Sequence, residues 1–259
     1  MGVFSGKRAF VIGGSGGIGR ALSKKLARSG ADLFVHGGHD SKAFDSLIQE
    51  LKSAPLDKNS ADMQRCENPV NIEKIVYKIE NFSDLAVSPL NSILKKSDIV
   101  CVCFGPFIQK PLTETTLEDW KNAALLDYAL PGYCVSTALP GMILKGWGRF
   151  LFFGGTRTYN INGYKTNAAY GGAKTGVGSL VRSVAHEYAS NGITCNAVLP
   201  GFTDTEYVSE AEKLLISNKL PCKKFISADS VARGGMFLLE SPEINGALLN
   251  IDFGWDGKL

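Results

Sequence analysis

No stretch of this sequence stays apolar for long enough to cross a membrane. The longest apolar runs, such as residues 99–104, fall far short of the about 20 residues that a spanning helix needs. The N-terminal residues 1–6 have neither the apolar core of a secretory signal nor the serine or threonine of a myristoylation site. We therefore predict a cytoplasmic protein that does not enter a membrane.

Patterns that bind metals are also missing. No two cysteines have the CxxC spacing, and the three histidines are not clustered with them. A chain of this size needs no disulfides, so we predict reduced thiols in the core and no metal site. The six cysteines are Cys66, Cys101, Cys103, Cys134, Cys195 and Cys222.

Charge of one sign is nowhere concentrated. The formal net charge is +3 and the sequence pI is about 8.4, with the lysines and arginines scattered along the chain. A nucleic-acid-binding protein would be expected to carry a basic stripe, and a protein of acidic membranes a basic patch. A small molecule is the predicted partner.

Hydrophobic periodicity divides the chain into alternating strand-like and helix-like stretches. With 259 residues, 44% of them hydrophobic, the chain can bury the core of a single domain, residues 1–259. Strands are predicted at residues 9–12, 33–36, 75–79, 99–104, 149–153, 193–198 and 247–251. Helices are predicted at residues 21–27, 41–53, 88–96, 117–142, 173–189 and 228–239. This alternation predicts the α/β class, with a doubly wound parallel sheet covered by helices on both faces.

Two stretches are expected to be irregular. Pro131 lies inside the longest predicted helix and should bend it or break it in two, because proline lacks an N–H group and its ring crowds the preceding turn. Residues 54–71 are polar, contain two prolines and have no clear period, so we predict a surface connection there.

A glycine-rich loop joins the first predicted strand to the first predicted helix. Gly13 is suited to the tight turn, Gly17 to a close approach of the backbone to a pyrophosphate, and Gly19 to close packing of helix against strand. Gly14, Gly16 and Gly19 form a second possible register of the same motif. The loop predicts dinucleotide binding, with Ser15 and Ile18 also at the cofactor.

Tyr170 and Lys174 are four residues apart and so share one face of a helix. Tyrosine titrates near ~10, and an adjacent ammonium together with a cationic nicotinamide would favour its anion. Tyr170 could then exchange a proton with a carbonyl oxygen while the cofactor supplies hydride. The alternative is a packed aromatic ring beside a solvated surface lysine.

These features, taken in order, resemble the short-chain dehydrogenase/reductase family almost from end to end. The resemblance also rests on residues 168–170, on the run from Asn196 to Gly201 followed by Thr203 and Thr205, and on residues 250–254. It implies a Rossmann sheet of seven strands and a homotetramer. It also implies that the tyrosine is the acid or base, that the lysine holds the nicotinamide ribose, and that Pro200, Gly201, Thr203 and Thr205 lie along the cofactor.

Several positions depart from the family pattern. Of its Asn-Asn-Ala-Gly motif only Gly105 remains, so the packing on the adenine side is expected to differ. Direct alignment places Gly155 where the family has its substrate-binding serine. We assign that role to the neighbouring hydroxyl of Thr156, with Thr158 as the alternative. Asp127 replaces the asparagine that supports a proton relay, which predicts either an altered relay or an inactive site.

The end of the second strand should decide the cofactor. A carboxylate there would bind the ribose of NAD and repel the extra phosphate of NADP, but this chain has His36 and His39 in that region. NADP is therefore predicted, although Asp40 lies close by and NAD stays possible. After the third strand, Asn81 or Glu80 is expected to contact adenine.

The predicted function is hydride transfer between NADP(H) and a carbonyl or alcohol substrate, with a 3-oxoacyl thioester as one candidate. Residues 202–224 are expected to form a substrate loop, whose apolar residues fit either a lid or an ordinary amphipathic helix. The alternative function is a non-catalytic nucleotide-binding protein of the same fold, acting as a sensor or a scaffold. An extended-branch epimerase is disfavoured because little of the chain follows Asp252.

Overall fold

A computed structural model describes residues 2–54, 70–87 and 89–255. Within this part, the strands are β1 (Arg8–Ile12), β2 (Asp32–Gly37), β3 (Ile72–Val76), β4 (Ile99–Val102), β5 (Gly148–Phe153), β6 (Ile193–Pro200), β7 (Thr203–Asp204), β8 (Ile226–Ser227) and β9 (Leu248–Ile251). The helices are α1 (Gly17–Arg28), α2 (Lys42–Ser53), α3 (Phe82–Val87), α4 (Pro89–Leu94), α5 (Leu117–Asn122), α6 (Leu130–Lys145), α7 (Ala168–Tyr188), α8 (Glu210–Ser217) and α9 (Ala228–Glu240).

Seven strands form one parallel sheet in the order β3-β2-β1-β4-β5-β6-β9. Strands β7 and β8 make a separate two-stranded sheet. The predicted doubly wound parallel sheet is confirmed. Because β1 lies between β2 and β4, the strand order reverses at β1, and a crevice opens there beyond the carboxyl ends of the strands.

Alternate residues of each central strand enter two different cores. In β1, Phe10 and Ile12 pack into one apolar cluster while Ala9 and Val11 pack into the other. Side chains of a strand point alternately to the two faces of a sheet, so a strand that is apolar throughout needs cover on both faces. The helices supply this cover, and residues 9–12 are completely buried.

The long helix predicted at residues 117–142 is instead three segments in series. Between α5 and α6, residues Ala123–Ala129 form a π-helix, in which the N–H group of Leu130 donates to the carbonyl oxygen of Leu125. Pro131 follows directly, in the first turn of α6. Its ring would crowd the carbonyl group four residues earlier, and the wider π turn relieves this contact. The chain therefore continues as a helix through Pro131 without a break.

Other boundaries also differ from the predictions. The third strand begins at Ile72, three residues earlier than predicted, and Ile72 pairs with Leu33 of β2. Because β3 lies at the edge of the sheet, it can include the polar residues Glu73 and Lys74. Helix α7 begins at Ala168, so Tyr170 and Lys174 both lie within it. The short elements α3, β7 and β8 were not predicted. Helix α8 corresponds to the amphipathic helix that was one of the two alternatives for residues 202–224. Residues 55–69, which include most of the predicted surface connection and Cys66, lie outside the described residues.

In the described part of the chain, no helix combines the length and the apolar character that a membrane span requires. Of the cysteines described, Cys222 is exposed and so is not the core thiol that was predicted.

Candidate active site

The predicted catalytic residues meet beyond the carboxyl ends of β4, β5 and β6. Helix α7 carries Tyr170 and Lys174 one turn apart, and Lys174 Nζ lies 5.8 Å from the centre of the Tyr170 ring. Lys174 is 7% exposed, so it is not a solvated surface lysine. Tyr170 is half-buried and its hydroxyl donates to the carbonyl oxygen of Gly154, 3.4 Å away.

Asp127 brings a buried carboxylate to the same place from the π-helical segment. It is completely buried, and its Oδ1 atom lies 3.0 Å from Lys174 Nζ. Among the described residues, no donor is aligned for a hydrogen bond with either carboxylate oxygen, so the ammonium acts as the charge partner. Burial raises the pKa of Asp127 to about 6, and the ammonium of Lys174 opposes that rise.

Gly105 makes room for this ion pair at the end of β4. Its φ angle is +153°, and a Cβ atom built on it would lie 2.0 Å from Asp127 Oδ1. A residue with a side chain would therefore force the carboxylate away from its position. This contact is a local reason for glycine at residue 105.

From the sequence, two positive charges were expected to favour the Tyr170 anion, and the structure contains one of them, the ammonium of Lys174. Burial raises the pKa of the phenol, and the Asp127 carboxylate and Tyr164 act in the same direction. Asp127 Oδ1 also lies 3.0 Å from the Lys174 ammonium. In this structure the phenol keeps its proton at neutral pH.

The hydroxyls that were candidates for the family's serine are both engaged. Thr156 Oγ1 donates to the carbonyl oxygen of Pro200 at 3.3 Å. Thr158 is buried; its Oγ1 donates to the carbonyl oxygen of Gly155 at 2.8 Å and accepts from the N–H group of the same residue at 3.1 Å. Gly155 itself faces Tyr170, since a Cβ atom built on it would lie 2.8 Å from the phenol oxygen. The position that faces the phenol, Gly155, thus has no hydroxyl.

The glycine-rich loop has the backbone shape that its sequence predicted. Gly13 and Gly17 have φ angles of +76° and +49°, a region that glycine adopts with the least strain. A Cβ atom on Gly19 would lie 2.1 Å from the carbonyl oxygen of Gly13, so helix α1 packs directly against the turn. Ser15 and Ile18 are half-buried in the same loop.

His36 does not fit the phosphate-binding role that was predicted for it. Its Nε2 atom lies 2.7 Å from the carbonyl oxygen of Tyr77, and its Nδ1 atom lies 3.3 Å from the backbone nitrogen of Gly13. The consistent tautomer is neutral, with Nε2 donating and Nδ1 accepting. Burial lowers the pKa of His36, which also favours the neutral ring. His39, by contrast, is exposed.

Arg20 reaches the end of β2 without having been predicted. Its guanidinium donates to the carbonyl oxygens of Ser15 and Ala43, at 3.3 and 3.1 Å. Asp40, the acid noted in the sequence, is instead paired with Lys74. The region after β2 therefore offers a fixed positive charge, supplied by the residue that directly follows Gly19.

The remaining predicted cofactor residues lie at the same end of the sheet. The N–H group of Asn81 donates to Asp84 Oδ2 at 2.8 Å, at the start of α3. Thr203 Oγ1 donates to the carbonyl oxygen of Gly201 at 3.0 Å, after β6. The methyl group of Thr205 would lie 3.4 Å from a Cβ atom built on Gly17, so the predicted substrate loop reaches the glycine-rich loop.

Two residues near the site carry no signal in the sequence. The Phe107 ring packs edge to face against the Tyr170 ring, with the centroids 5.0 Å apart, and is 56% exposed. Glu206 accepts a hydrogen bond from the N–H group of Gly17, at 3.0 Å through Oε1 and 3.2 Å through Oε2. Both contacts join residues that are distant in the sequence, so no local spacing could have found them.

Comparison with known proteins bears on this arrangement. The family model for short chain dehydrogenases matches residues 7–214. A D-beta-hydroxybutyrate dehydrogenase of Cupriavidus necator is 26% identical and aligns with 98% of this chain and 99% of its own. A 3-oxoacyl-[acyl-carrier-protein] reductase of Escherichia coli is 27% identical, with 97% and 98% covered.

Solved structures have the same fold. A short chain dehydrogenase/reductase family protein superimposes with a TM-score of 0.80 at 21% identity, over 98% of both chains. A protein of Agrobacterium tumefaciens, assigned provisionally as a 2-deoxy-d-gluconate 3-dehydrogenase and solved with bound NADP, gives a TM-score of 0.78 at 21% identity, again over 98% of both chains.

Proposed function

Because the chain belongs to the short-chain dehydrogenase family and is an oxidoreductase of that family, we propose that it interconverts a carbonyl compound and an alcohol with NADP(H). Tyr170 is the proton donor to the carbonyl oxygen and the acceptor in the reverse direction. The observation that carries this proposal is the placement of Tyr170 one turn from the buried Lys174, beyond the carboxyl ends of the central strands.

The glycine-rich loop fits a dinucleotide because four of its glycines lack a side chain where one would collide. Cβ atoms on Gly13, Gly14, Gly16 and Gly19 would each come within 3.0 Å of neighbouring atoms. When bound, the nicotinamide cofactor supplies or accepts the hydride. The residues proposed to hold it are Gly13, Ser15, Gly17, Ile18, Gly19, Asn81, Gly105, Tyr170, Lys174, Pro200, Gly201, Thr203 and Thr205.

We assign the preference for NADP to Arg20 and His39 instead of His36. The last residues of β2 include no carboxylate that would repel a phosphate. Arg20 is fixed beside them by its two carbonyl contacts, and an arginine suits phosphate because of its planar set of donors. His39, which is exposed, takes part in this assignment, whereas the buried His36 stays in the core.

In the reductive direction the Tyr170 phenol gives its proton to the carbonyl oxygen, and in this structure burial raises the pKa of that phenol. Lys174 lies beside the ring and holds the cofactor's ribose in this proposal. Thr156 binds the carbonyl oxygen of the substrate once its hydroxyl leaves Pro200, because the hydroxyl of Thr158 already has two backbone partners. Asp127 adjusts the charge that Lys174 presents to the phenol.

A 3-oxoacyl thioester is the proposed substrate. Two relatives are named for a β-hydroxy acid and for a 3-oxoacyl group, and the second supports a thioester. Phe107 offers an exposed apolar surface directly beside Tyr170, and Tyr207, Leu214 and Leu215 are exposed within residues 202–224. An acyl chain could pack against Phe107 beside the reacting carbonyl. We also propose a homotetramer, as the family resemblance implies.

The test is NADPH oxidation against a panel of ketones and 3-oxoacyl thioesters, with Tyr170→Phe as the control variant. We expect turnover with at least one thioester and a loss of kcat of at least about 100-fold in Y170F, because general acid catalysis contributes about that much or more. Binding of NADPH without turnover on any substrate would favour the non-catalytic alternative. Turnover that Y170F retains in full would contradict the role of Tyr170.

A further inference from the structure

The segment that follows β7 lies across the glycine-rich loop. The Glu206 carboxylate accepts from the N–H group of Gly17 through both oxygens, at 3.0 and 3.2 Å. Beside it, a Cβ atom built on Gly16 would lie 2.1 Å from the Tyr207 hydroxyl. Residues 205–207 therefore cover the turn that the proposed cofactor must reach.

The chemistry of α1 explains why a carboxylate lies there. Gly17 is the first residue of α1, the first turn contains no acidic residue, and no side chain caps the helix from Gly16. The N–H groups of a first helical turn have no partner within the helix, and the helix dipole favours a negative charge at this end. Glu206 supplies both the acceptor and the charge.

Glu206 differs in this respect from the other acids of the same segment. Asp204 and Glu210 both pair with Lys213, at 2.5 and 2.7 Å. In the described part of the chain, no basic side chain lies within ion-pair distance of Glu206, and its contact is the Gly17 N–H group. Glu206 therefore contacts the glycine-rich loop and, unlike Asp204 and Glu210, forms no ion pair with Lys213.

We infer that Glu206 occupies the position of the cofactor's diphosphate, so that its carboxylate and the dinucleotide compete for the N-terminus of α1. This inference rests on the proposed binding of a dinucleotide. A diphosphate presents anionic oxygens to the same N–H groups. Two anions cannot share the site, so residues 205–207 must move away before the dinucleotide binds. Glu206 is thus a residue that sets cofactor affinity.

A second position for the displaced carboxylate is close by. The cleft beside Glu206 and Gly17 is lined by four basic residues of α1, Arg20, Lys24, Lys25 and Arg28, and by two acids, Glu50 and Asp229, which pair with Lys24 and Lys25. Movement of Glu206 toward Arg28 keeps its charge near a positive charge while it leaves the amide. The loop can therefore open without leaving the charge in an unfavourable environment.

The first test measures the affinity for NADPH and NADH of the wild type, of Glu206→Gln and of Glu206→Ala, by titration of the nucleotide fluorescence. The expected result is about 3- to 10-fold tighter binding of both nucleotides by the two variants, because a competing anion at a helix N-terminus has been removed. Glu210→Gln is the matched control, since it removes an exposed carboxylate from the same segment but not from the loop. Unchanged or weaker binding by E206A would overturn the inference.

The second test needs no cofactor turnover. Hydrogen exchange at the Gly17 amide should be faster in cofactor-free E206A than in the cofactor-free wild type, and equal in both at saturating NADPH. Equal exchange rates without cofactor would overturn the inference. Failure of the wild type and all variants to bind either nucleotide would overturn both the proposed function and this inference. Equal binding by the wild type and E206A would overturn this inference alone.

Discussion

At residue 127 a completely buried carboxylate lies 3.0 Å from Lys174 Nζ, within one site with Tyr170. A buried charge is costly unless a partner compensates it, so the two residues hold each other in place. The consequence falls on Tyr170, where burial and the Asp127 carboxylate both raise the pKa of the phenol. An asparagine at this position would keep the shape of the side chain but not its charge.

We predict that Asp127→Asn moves the pH profile of alcohol oxidation to lower pH. Oxidation needs the Tyr170 anion, so its rate rises with pH through the pKa of the phenol, and removal of a negative charge lowers that pKa. At pH 8 the variant should oxidise about 3 to 10 times faster than the wild type. Below about pH 6 the two rates should converge, because Asp127 is then protonated in the wild type as well.

The measurement is kcat/KM for NADP-dependent oxidation from pH 5 to 10, with NADP affinity determined separately for both proteins. Glu118→Gln provides a control that removes an exposed acid of the neighbouring helix α5. A D127N profile displaced to higher pH would show that the carboxylate does not act on the phenol as argued.

Gly155 gives a second prediction for a single residue. A Cβ atom there would lie 2.8 Å from the Tyr170 hydroxyl, which is closer than such atoms approach in practice. Gly155→Ala should displace the phenol and lower kcat by about 10-fold or more, since small misplacements of reacting groups are costly. Gly172→Ala is the control: no atom lies within 4 Å of its Cβ position, and alanine stabilises an exposed helical site by about 1 kcal/mol. An unchanged kcat in G155A would contradict the placement of Tyr170.

Among the elements, the buried strands were the most predictable part of the chain. Strands β4 and β5 are apolar along most of their length and completely buried, so hydrophobicity alone reveals them. Strand β3 lies at the edge of the sheet and is partly exposed, and its predicted position was wrong by three residues. The π-helical segment was not predicted because its residues also fit an ordinary helical period.

In the candidate site, contacts between residues close in sequence were predictable, and contacts between distant residues were not. Tyr170 and Lys174 are four residues apart on one helix, so their proximity could be predicted from spacing. The contact between Gly17 and Glu206 joins residues 189 positions apart, and only the packing of the folded chain brings them together. His36 was assigned to a phosphate because sequence position does not reveal burial.

His36 connects three elements, and its replacement should affect stability more than cofactor choice. It bonds to the turn after β1 and to the residue after β3, from its own place in β2. His36→Ala leaves the partly buried N–H group of Gly13 and carbonyl group of Tyr77 without this partner, and should lower the free energy of unfolding by about 2–4 kcal/mol. Urea unfolding is the measurement.

The exposed His39 supplies the matched control for that experiment. His39→Ala should change the free energy of unfolding by less than about 0.5 kcal/mol, as is usual for surface substitutions. If H36A were as stable as H39A and bound NADPH more weakly but NADH equally well, His36 would be a phosphate ligand and its assignment to the core would be wrong.

For the molecule as a whole, the strand order places every part of the candidate site at one end of one sheet. The reversal at β1 opens the crevice, and the loops after β1, β2, β4, β5 and β6 all reach it. A ligand bound there contacts segments from the N-terminal to the C-terminal half of the chain. Binding should therefore stabilise the fold as a unit, and thermal unfolding can report cofactor preference without any substrate.

We predict that NADPH raises the unfolding temperature more than NADH at equal concentration. A ligand at 100 times its dissociation constant raises the free energy of unfolding by about 2.7 kcal/mol. For a chain of this size, that gain raises the unfolding temperature by about 5–10 °C. NADPH should have the larger effect because Arg20 supplies positive charge beside β2, where no carboxylate repels a phosphate. Arg20→Gln should remove most of the difference between the nucleotides while leaving the shift with NADH unchanged. A larger shift with NADH in the wild type would reverse the cofactor assignment.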